Sequence, residues 1–143
     1  MATTSGALPI LRRRALDSAA CASGNRGGYG KAAAIRDRVR QTLRFLARRL
    51  PNEHGFFYHF IDIETGERVW NCELSSIDTS LLLCGVLTVR QHFNDAEIQD
   101  LGTAIYERVD WPWMLNGGER FSMGWKPDSG FLRSRWEHYY IAS

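Results

Sequence analysis

Two neighbouring stretches of the sequence have helical periodicity but opposite distributions of apolar residues, and this contrast most limits the folds open to the chain. Between positions 77 and 93 the apolar residues lie nearly all round the helix, which is typical of a helix buried between layers. The next stretch starts with Asn94 and carries Glu97 three residues later, as in a capping box. Its apolar residues form a single stripe, at Ile98, Leu101, Ile105 and Val109. The pair predicts an inner and an outer helix of a two-layer helical array.

A third helix is predicted over positions 31–50, where Pro51 ends it. One stripe of this helix is apolar, at Ile35, Val39, Leu43, Leu46 and Leu50. A second stripe is basic, at Arg36, Arg40, Arg44 and Arg48. Residues 1–50 carry eleven Lys or Arg against two acids, whereas the rest of the chain carries seven against fourteen. We expect the arginines to face solvent or to pair with the acidic half. Nucleic-acid binding is not predicted, because no base-stacking platform accompanies them.

Shorter elements are predicted around these helices. Residues 55–62 are aromatic and β-prone, residues 64–66 offer a turn, and residues 67–70 run back, which predicts a short β-hairpin. Aromatic residues occur on both faces of this hairpin, so we expect it to be covered. After Asp110 the sequence is rich in Trp, Phe and Gly, which indicates long irregular loops with room for a strand pair. Residues 1–28 have no clear periodicity and are predicted to be irregular.

Composition excludes several classes of protein. The chain has 143 residues, 44% of them hydrophobic, which fits one globular unit. No apolar stretch approaches the roughly 20 residues of a membrane helix, and no secretory signal is recognisable. Cys21, Cys72 and Cys84 do not have the spacing of a zinc site or a disulfide framework. We therefore expect no metal or organic cofactor and no membrane partner; the compartment and the oligomeric state stay open.

Asp78 lies at the predicted start of the buried helix, where the peptide dipole favours a carboxylate. One interpretation is structural, with Asp78 as a helix-start charge and Ser75 or Ser76 as the cap. The other interpretation is functional, with Asp78, Glu73 and Glu137 in an acidic cleft. Three tryptophans would wall that cleft: Trp70, Trp125 and Trp136. Sugar chemistry uses this combination, because indoles lie against pyranose faces and carboxyl groups move protons at the glycosidic oxygen. Tryptophans also pack ordinary cores, so both interpretations remain open.

Three stretches of the sequence resemble the glucoamylase-like domain of bacterial proteins, a family that includes endo-β-1,2-glucanases and a domain of cyclic β-1,2-glucan synthases. The first stretch is Gly-Phe-Phe-Tyr-His-Phe-Ile-Asp at 55–62 with Thr-Gly-Glu-Arg at 65–68. The second is Glu-Leu-Ser-Ser-Ile-Asp-Thr-Ser-Leu-Leu-Leu at 73–83. The third runs from Arg-Val-Asp-Trp-Pro-Trp at 108–113 through Met-Gly-Trp-Lys-Pro at 123–127 to Trp136-Glu137.

This resemblance implies a mainly α fold, with residues 29–143 as the N-terminal part of an (α/α)6 toroid that carries a short β-hairpin and long aromatic loops. It implies part of a glucan-processing glycoside hydrolase-like domain, with an oligo- or polysaccharide as partner and β-1,2 linkages favoured. The predicted catalytic residues are Asp78, Glu73 and Glu137. The predicted substrate-binding residues are Tyr58, His59, Trp70, Trp125, Lys126 and Trp136.

Two departures from the family limit these implications. The family continues well beyond this length, and it commonly has a catalytic Glu where this chain has Ile141. We therefore expect the chain to be inactive alone. A non-catalytic carbohydrate-binding remnant is one alternative, and an interaction protein that uses the arginine-rich N-terminal half is another. His59 is also open to a purely structural interpretation as a hydrogen-bonded strand residue.

Overall fold

The computed structural model describes residues 29–137 as four helices and five short strands. In chain order they are α1 (Tyr29–Arg48), β1 (Asn52–Glu53), β2 (Phe56–Phe57), β3 (Leu74–Ser75), α2 (Ser76–His92), α3 (Ala96–Glu107), α4 (Trp111–Leu115), β4 (Gly124–Lys126) and β5 (Gly130–Phe131). The predicted mainly α class with a small β component is therefore confirmed. The irregular segment predicted for residues 1–28 lies outside the described residues, as does Ile141.

The three long helices pack through the apolar stripes that the sequence predicts. Helix α3 contacts both α1 and α2. The predicted stripe of α1 is buried at Val39, Leu43 and Leu46, and Leu50, which follows the end of the helix at Arg48, is buried as well. The stripe of α3 is buried at Ile98, Leu101 and Ile105. These residues form one core cluster with the apolar side of α2.

Within residues 29–137, helix α2 is buried on one face only, whereas the sequence predicts a helix buried between two layers. Leu82, Leu83 and Val86 are almost fully buried. On the other side, Ile77 is 40% exposed and Cys84 is exposed. The apolar residues of 77–93 are thus covered on one face only, because α3 and the strands lie on that face.

The start of α3 also differs from the prediction. Its N-cap is Asp95 rather than Asn94, and the Asp95 side chain accepts a hydrogen bond from the backbone N–H of Ile98. Glu97 does not complete a capping box, because its carboxylate pairs with Arg44 of α1, at 2.6 Å to Nε and 2.7 Å to Nη2. Arg40 also forms an ion pair with an acid of this region, Asp95. Two of the four stripe arginines therefore pair with the acidic half of the chain, as the charge asymmetry predicts.

The Arg40–Asp95 pair predicts a specific pH dependence of stability. The hydrogen bond from Arg40 holds the pKa of Asp95 below its ordinary value. A carboxyl group with a lowered folded pKa stabilises the fold above its unfolded pKa of about 3.9, and this contribution is lost as pH falls through the folded value. We expect Asp95→Asn, which keeps a capping side chain, to lower the melting temperature at pH 7 and to flatten its decline below about pH 4. Melting curves measured from pH 7 to 2 check this. The same decline of the melting temperature at acid pH in both proteins would contradict the prediction.

The predicted hairpin forms only in part. The turn is present: Asp62 Oδ1 accepts the N–H groups of Glu64 and Thr65, and Ile61 pairs with Arg68 in an isolated antiparallel bridge. The preceding residues pair elsewhere, since β2 pairs with β1 and Tyr58 pairs with Leu74. Both faces are covered as predicted, with Phe56 and Phe57 almost fully buried.

The segment after Asp110 contains the predicted strand pair and one element that the sequence did not predict. Strands β4 and β5 are antiparallel, and β3 joins them in a three-stranded sheet of order β3-β4-β5. The unpredicted element is α4, capped by Asp110, whose side chain accepts from the N–H of Trp113. Proline near the start of α4 suits a helix of this length, because the first turn needs no N–H donor there.

No helix within residues 29–137 is both long and apolar enough to cross a bilayer. In the same range, Cys72 is buried and free, and Cys84 is exposed and free. The Cys72 thiol is hydrogen-bonded to the backbone of Phe60, so this cysteine helps to hold the turn that precedes the sheet.

Candidate active site

The register of the sheet sorts the predicted site residues onto two faces. Tyr58 pairs with Leu74, Leu74 with Trp125, and Trp125 with Phe131. Directly paired residues share one face of a sheet, and their chain neighbours lie on the other. Leu74 is fully buried, so Tyr58 and Trp125 lie on the core face. The opposite face receives His59, Glu73 and Lys126.

His59 contacts two of the predicted catalytic carboxyl groups. Its Nδ1 atom lies 3.2 Å from Oε1 of Glu73, and its Nε2 atom lies 3.5 Å from Oδ2 of Asp78. The backbone supports this arrangement, because the N–H of His59 donates to the carbonyl of Glu73 at 2.9 Å. We call His59, Glu73 and Asp78 the acid–histidine cluster.

The sequence prediction of a cap at the start of α2 is confirmed, with Ser75 as the N-cap. Ser75 Oγ accepts from the N–H of Asp78 at 3.2 Å and donates to Oδ2 of Asp78 at 2.6 Å. Asp78 is only 7% exposed. The structural and the functional interpretations of Asp78 are therefore compatible, since the same carboxylate receives the Ser75 hydroxyl and contacts His59.

Gly124 determines how closely strand β4 approaches the acid–histidine cluster. A Cβ atom at this position would lie 2.6 Å from Cγ of Glu73 and 2.4 Å from the carbonyl oxygen of Leu74. Only glycine allows this approach without displacing β3. The sequence analysis did not single out Gly124, although a glycine between strand-forming residues is a recognised signal of close backbone approach.

Two of the predicted tryptophans are connected to the acid–histidine cluster through a neighbouring residue. Trp136 is half-buried, and its Nε1–H donates to Ser76 Oγ at 2.8 Å, at the first residue of α2. Trp70 is 60% exposed. The Trp70 ring meets the Phe60 ring edge-on, with centroids 5.1 Å apart, and Phe60 stacks on His59 at 4.0 Å. One indole is thus anchored at the start of α2, and the other is exposed and packs on Phe60.

Tyr58 and Trp125 are predicted to contact substrate, but the structure places both on the core face. Tyr58 is 8% exposed and its ring lies under the Arg68 guanidinium, at 5.4 Å; burial raises the pKa of its hydroxyl. Trp125 is half-buried with its ring 5.6 Å from that of Trp113. The sequence pattern could not assign these faces, because the partner strands of residues 58 and 125 are distant in sequence.

The remaining two candidates are not joined to the cluster by a hydrogen bond or an ion pair among residues 29–137. Lys126 is half-buried on the same sheet face as Glu73. Glu137 is exposed and directly follows Trp136. Within the same range, no group of three or more His, Cys, Asp or Glu is arranged to hold a metal ion.

Solved structures share this arrangement of helices and strands. An endo-β-1,2-glucanase from Chitinophaga pinensis, in complex with sophorotriose and glucose, matches with a TM-score of 0.71 at 22% identity over 84% of this chain. A β-1,2-glucanase from Parabacteroides distasonis matches with a TM-score of 0.70 at 24% identity over 84% of this chain. The chain has the glucoamylase-like fold. A protein from Bacteroides uniformis described as a putative glucoamylase matches over 89% of the chain, with a TM-score of 0.72 and 16% identity.

The glucoamylase-like fold is thus confirmed by structure rather than by overall sequence similarity. No family model matches the sequence, and no curated protein matches it. The match covers 31% of the Chitinophaga protein, 19% of the Parabacteroides protein and 34% of the Bacteroides uniformis protein. The chain therefore spans about a third or less of the length of these proteins.

Proposed function

We propose that this chain is part of a glucan-processing domain of the glycoside hydrolase type, in which α2 is an inner helix and α1 and α3 are outer helices of an (α/α)6 toroid. The support for the toroid is the structural match to glucanases and the apolar face of α2 that carries the exposed Ile77. In such a ring, further inner helices would pack on that face. The acid–histidine cluster, at the N-terminal end of α2, would then open into the substrate cleft.

The observation that carries the proposal is the contact of one histidine with two carboxyl groups. Glycoside hydrolysis needs a pair of carboxyl groups, one to protonate the leaving oxygen and one to act as nucleophile or to activate water. Glu73 and Asp78 supply two carboxyl groups within reach of His59. Glu137, beyond Trp136, is proposed as a further acid of the same cleft.

β-1,2-Linked glucan is the proposed substrate, because two of the matched proteins are β-1,2-glucanases and one of them holds sophorotriose. Trp70 and Trp136 would lie against the apolar faces of glucose rings. Lys126 would bind sugar hydroxyls from the sheet face that carries Glu73. Tyr58 and Trp125 are left out of this contact set because they lie on the core face.

The binding prediction concerns Trp70. We expect the chain to bind β-1,2-linked gluco-oligosaccharides more tightly than β-1,3-linked ones, and Trp70→Ala to weaken this binding about tenfold, which corresponds to about 1.4 kcal/mol. Isothermal titration calorimetry measures both. Ile63→Ala is the matched control, because Ile63 is a similarly exposed large side chain, at 56%, in the neighbouring turn. Equal effects of the two substitutions would contradict a sugar platform at Trp70.

Reducing-sugar release from linear β-1,2-glucan separates catalysis from binding alone. If the chain releases sugar, Glu73→Gln should lower the rate by about 100-fold or more, the usual contribution of a general acid or base. Binding without release supports the carbohydrate-binding alternative. The third alternative, an arginine-rich interaction surface, is weakened by the pairing of Arg40 and Arg44 with Asp95 and Glu97.

A further inference from the structure

We propose that the acid–histidine cluster carries one mobile proton, exchanged between His59 Nδ1 and Glu73 Oε1, and that Asp78 positions His59 for this exchange. This inference deepens the proposed function and rests on it only for the final transfer to a sugar oxygen. The exchange itself rests on the contacts of His59, Glu73, Asp78 and Ser75.

The first step is a count of donors and acceptors. A neutral imidazole has one N–H donor, whereas both ring nitrogens of His59 face carboxyl groups, at 3.2 and 3.5 Å. With two carboxylates, both contacts can be hydrogen bonds only when both ring nitrogens carry hydrogen, which is the imidazolium form. With one proton moved to Glu73, His59 is neutral, donates through Nε2 to Asp78 and accepts the Glu73 O–H at Nδ1. Both states have the same net charge and satisfy every donor.

The second step is the difference between the two carboxyl groups. The Asp78 side chain is 9% exposed and already accepts the Ser75 hydroxyl proton at Oδ2. The Glu73 side chain is 24% exposed. A carboxyl group that accepts a hydroxyl hydrogen bond at the start of a helix is favoured in its ionised form, which only accepts hydrogen bonds. Asp78 therefore fixes the proton on Nε2, and the group that reaches a ligand is Glu73.

The roles follow from this difference. Glu73 is the proposed catalytic acid or base, while His59 and Asp78 are positioning residues. When Glu73 gives its proton to the leaving glycosidic oxygen, the C–O bond breaks, water adds to the anomeric carbon, and the proton released by this water returns through solvent to the Glu73 carboxylate. Asp78, which the sequence analysis predicts to be catalytic, is a positioning residue in this assignment, so Glu137 is the proposed second acid of the cleft.

Two cationic side chains of residues 29–137 lie on segments next to the cluster. Lys126 lies on the same sheet face as Glu73, opposite β3. Arg68 lies over the Tyr58 ring on the other side of the strand, and its Nη2 atom is 3.8 Å from Asp128.

The test is ¹⁵N NMR of the ring nitrogens in the full 143-residue chain, labelled at histidine. The His59 signals are assigned by their loss in His59→Gln, since the chain has four histidines. We expect neutral His59 to be in the Nε2–H form by about tenfold or more, the ratio that a charge-assisted hydrogen bond supports. We expect Asp78→Asn to reduce that ratio several-fold. Glu73→Gln should preserve the Nε2–H form.

His54 provides an internal control in the same sample. Its Nδ1 atom lies 3.3 Å from Asp110, so its neutral form should shift toward Nδ1–H, the opposite tautomer. Asp110→Asn should alter His54 alone, and Asp78→Asn should leave His54 unchanged, which also shows that the variant is folded. If Asp78→Asn unfolds the chain, Ser75→Ala replaces it, because this variant removes the hydroxyl donor and keeps the carboxylate.

A majority of Nδ1–H in neutral His59, or a His59 tautomer ratio that neither variant changes, would overturn the proposal. Failure of the proposed function gives a different result. In that case the NMR pattern is as expected, while β-1,2-gluco-oligosaccharides neither bind nor shift the His59 signals.

Discussion

Gly55→Ala is expected to destabilise the fold by about 3 kcal/mol or more, through left-handed backbone strain together with steric overlap. Gly55 has φ +81°, and a Cβ atom there would lie 2.6 Å from the carbonyl oxygen of Arg108 and 2.7 Å from Cα of Val109. Both neighbours are backbone atoms, so neither can rotate away. The measurement is the midpoint of urea unfolding. The dependence of the unfolding free energy on urea concentration should not change if the transition stays two-state.

Gly117 is the matched control for this substitution. It has φ +71°, but a Cβ atom there would meet nothing within 4 Å. Gly117→Ala should therefore cost only the conformational strain, about 1–2 kcal/mol. Similar midpoints for the two variants would mean that residues 108 and 109 do not pack against the β1–β2 turn as described.

Phe56→Ala is the second substitution with a large expected effect, a loss of about 3–5 kcal/mol of unfolding free energy. Phe56 is fully buried, with its ring 5.3 Å from that of Trp111 and nearly perpendicular to it, and 5.8 Å from that of Trp113. Removing the ring leaves a cavity between the β1–β2 hairpin and α4. Urea denaturation monitored by tryptophan fluorescence measures the loss and reports directly on the two indoles.

Phe60→Ala is the comparison within the same segment. Phe60 is half-buried and contacts His59 and Trp70 rather than the core indoles. Its substitution should cost about 1–2 kcal/mol and should weaken sugar binding more than Phe56→Ala does at a temperature where both variants are folded. The reverse order of stabilities would contradict the placement of Phe56 in the core.

The helices were predictable because their signals are local. The stripe of α1 lies within twenty residues, and its burial follows from the spacing of Val39, Leu43 and Leu46. The cap of α2 was also predictable, since Ser75 and Asp78 are three residues apart. At α3, Asn94 and Asp95 are both good capping residues. Asp95, the residue that caps α3 in the structure, also pairs with Arg40. That pairing was not visible in the local sequence.

The site was only half predictable, because its geometry depends on pairings between distant segments. The motif around Glu73 and Asp78 predicts that these carboxyl groups belong to one site, and the structure brings both of them to His59. The faces of Tyr58 and Trp125 depend on Leu74, which pairs with both. Neither the strand partners nor the close approach of Gly124 can be derived from alternation alone. The short helix α4 escaped prediction for a related reason, since five residues are too few for a hydrophobic period.

The guanidinium of Arg108 affects how the chain can fold during synthesis. Its Nη2 atom donates to the carbonyl of Leu46 at 2.9 Å, and its Nη1 atom donates to that of Ala47 at 3.1 Å. These carbonyls belong to the last turn of α1, where helical partners are lacking. Until residue 108 has left the ribosome, these carbonyls at the end of α1 lack their hydrogen-bond donor. The first helix of the described region is therefore among the last to be completed, and folding of that region waits for the end of α3.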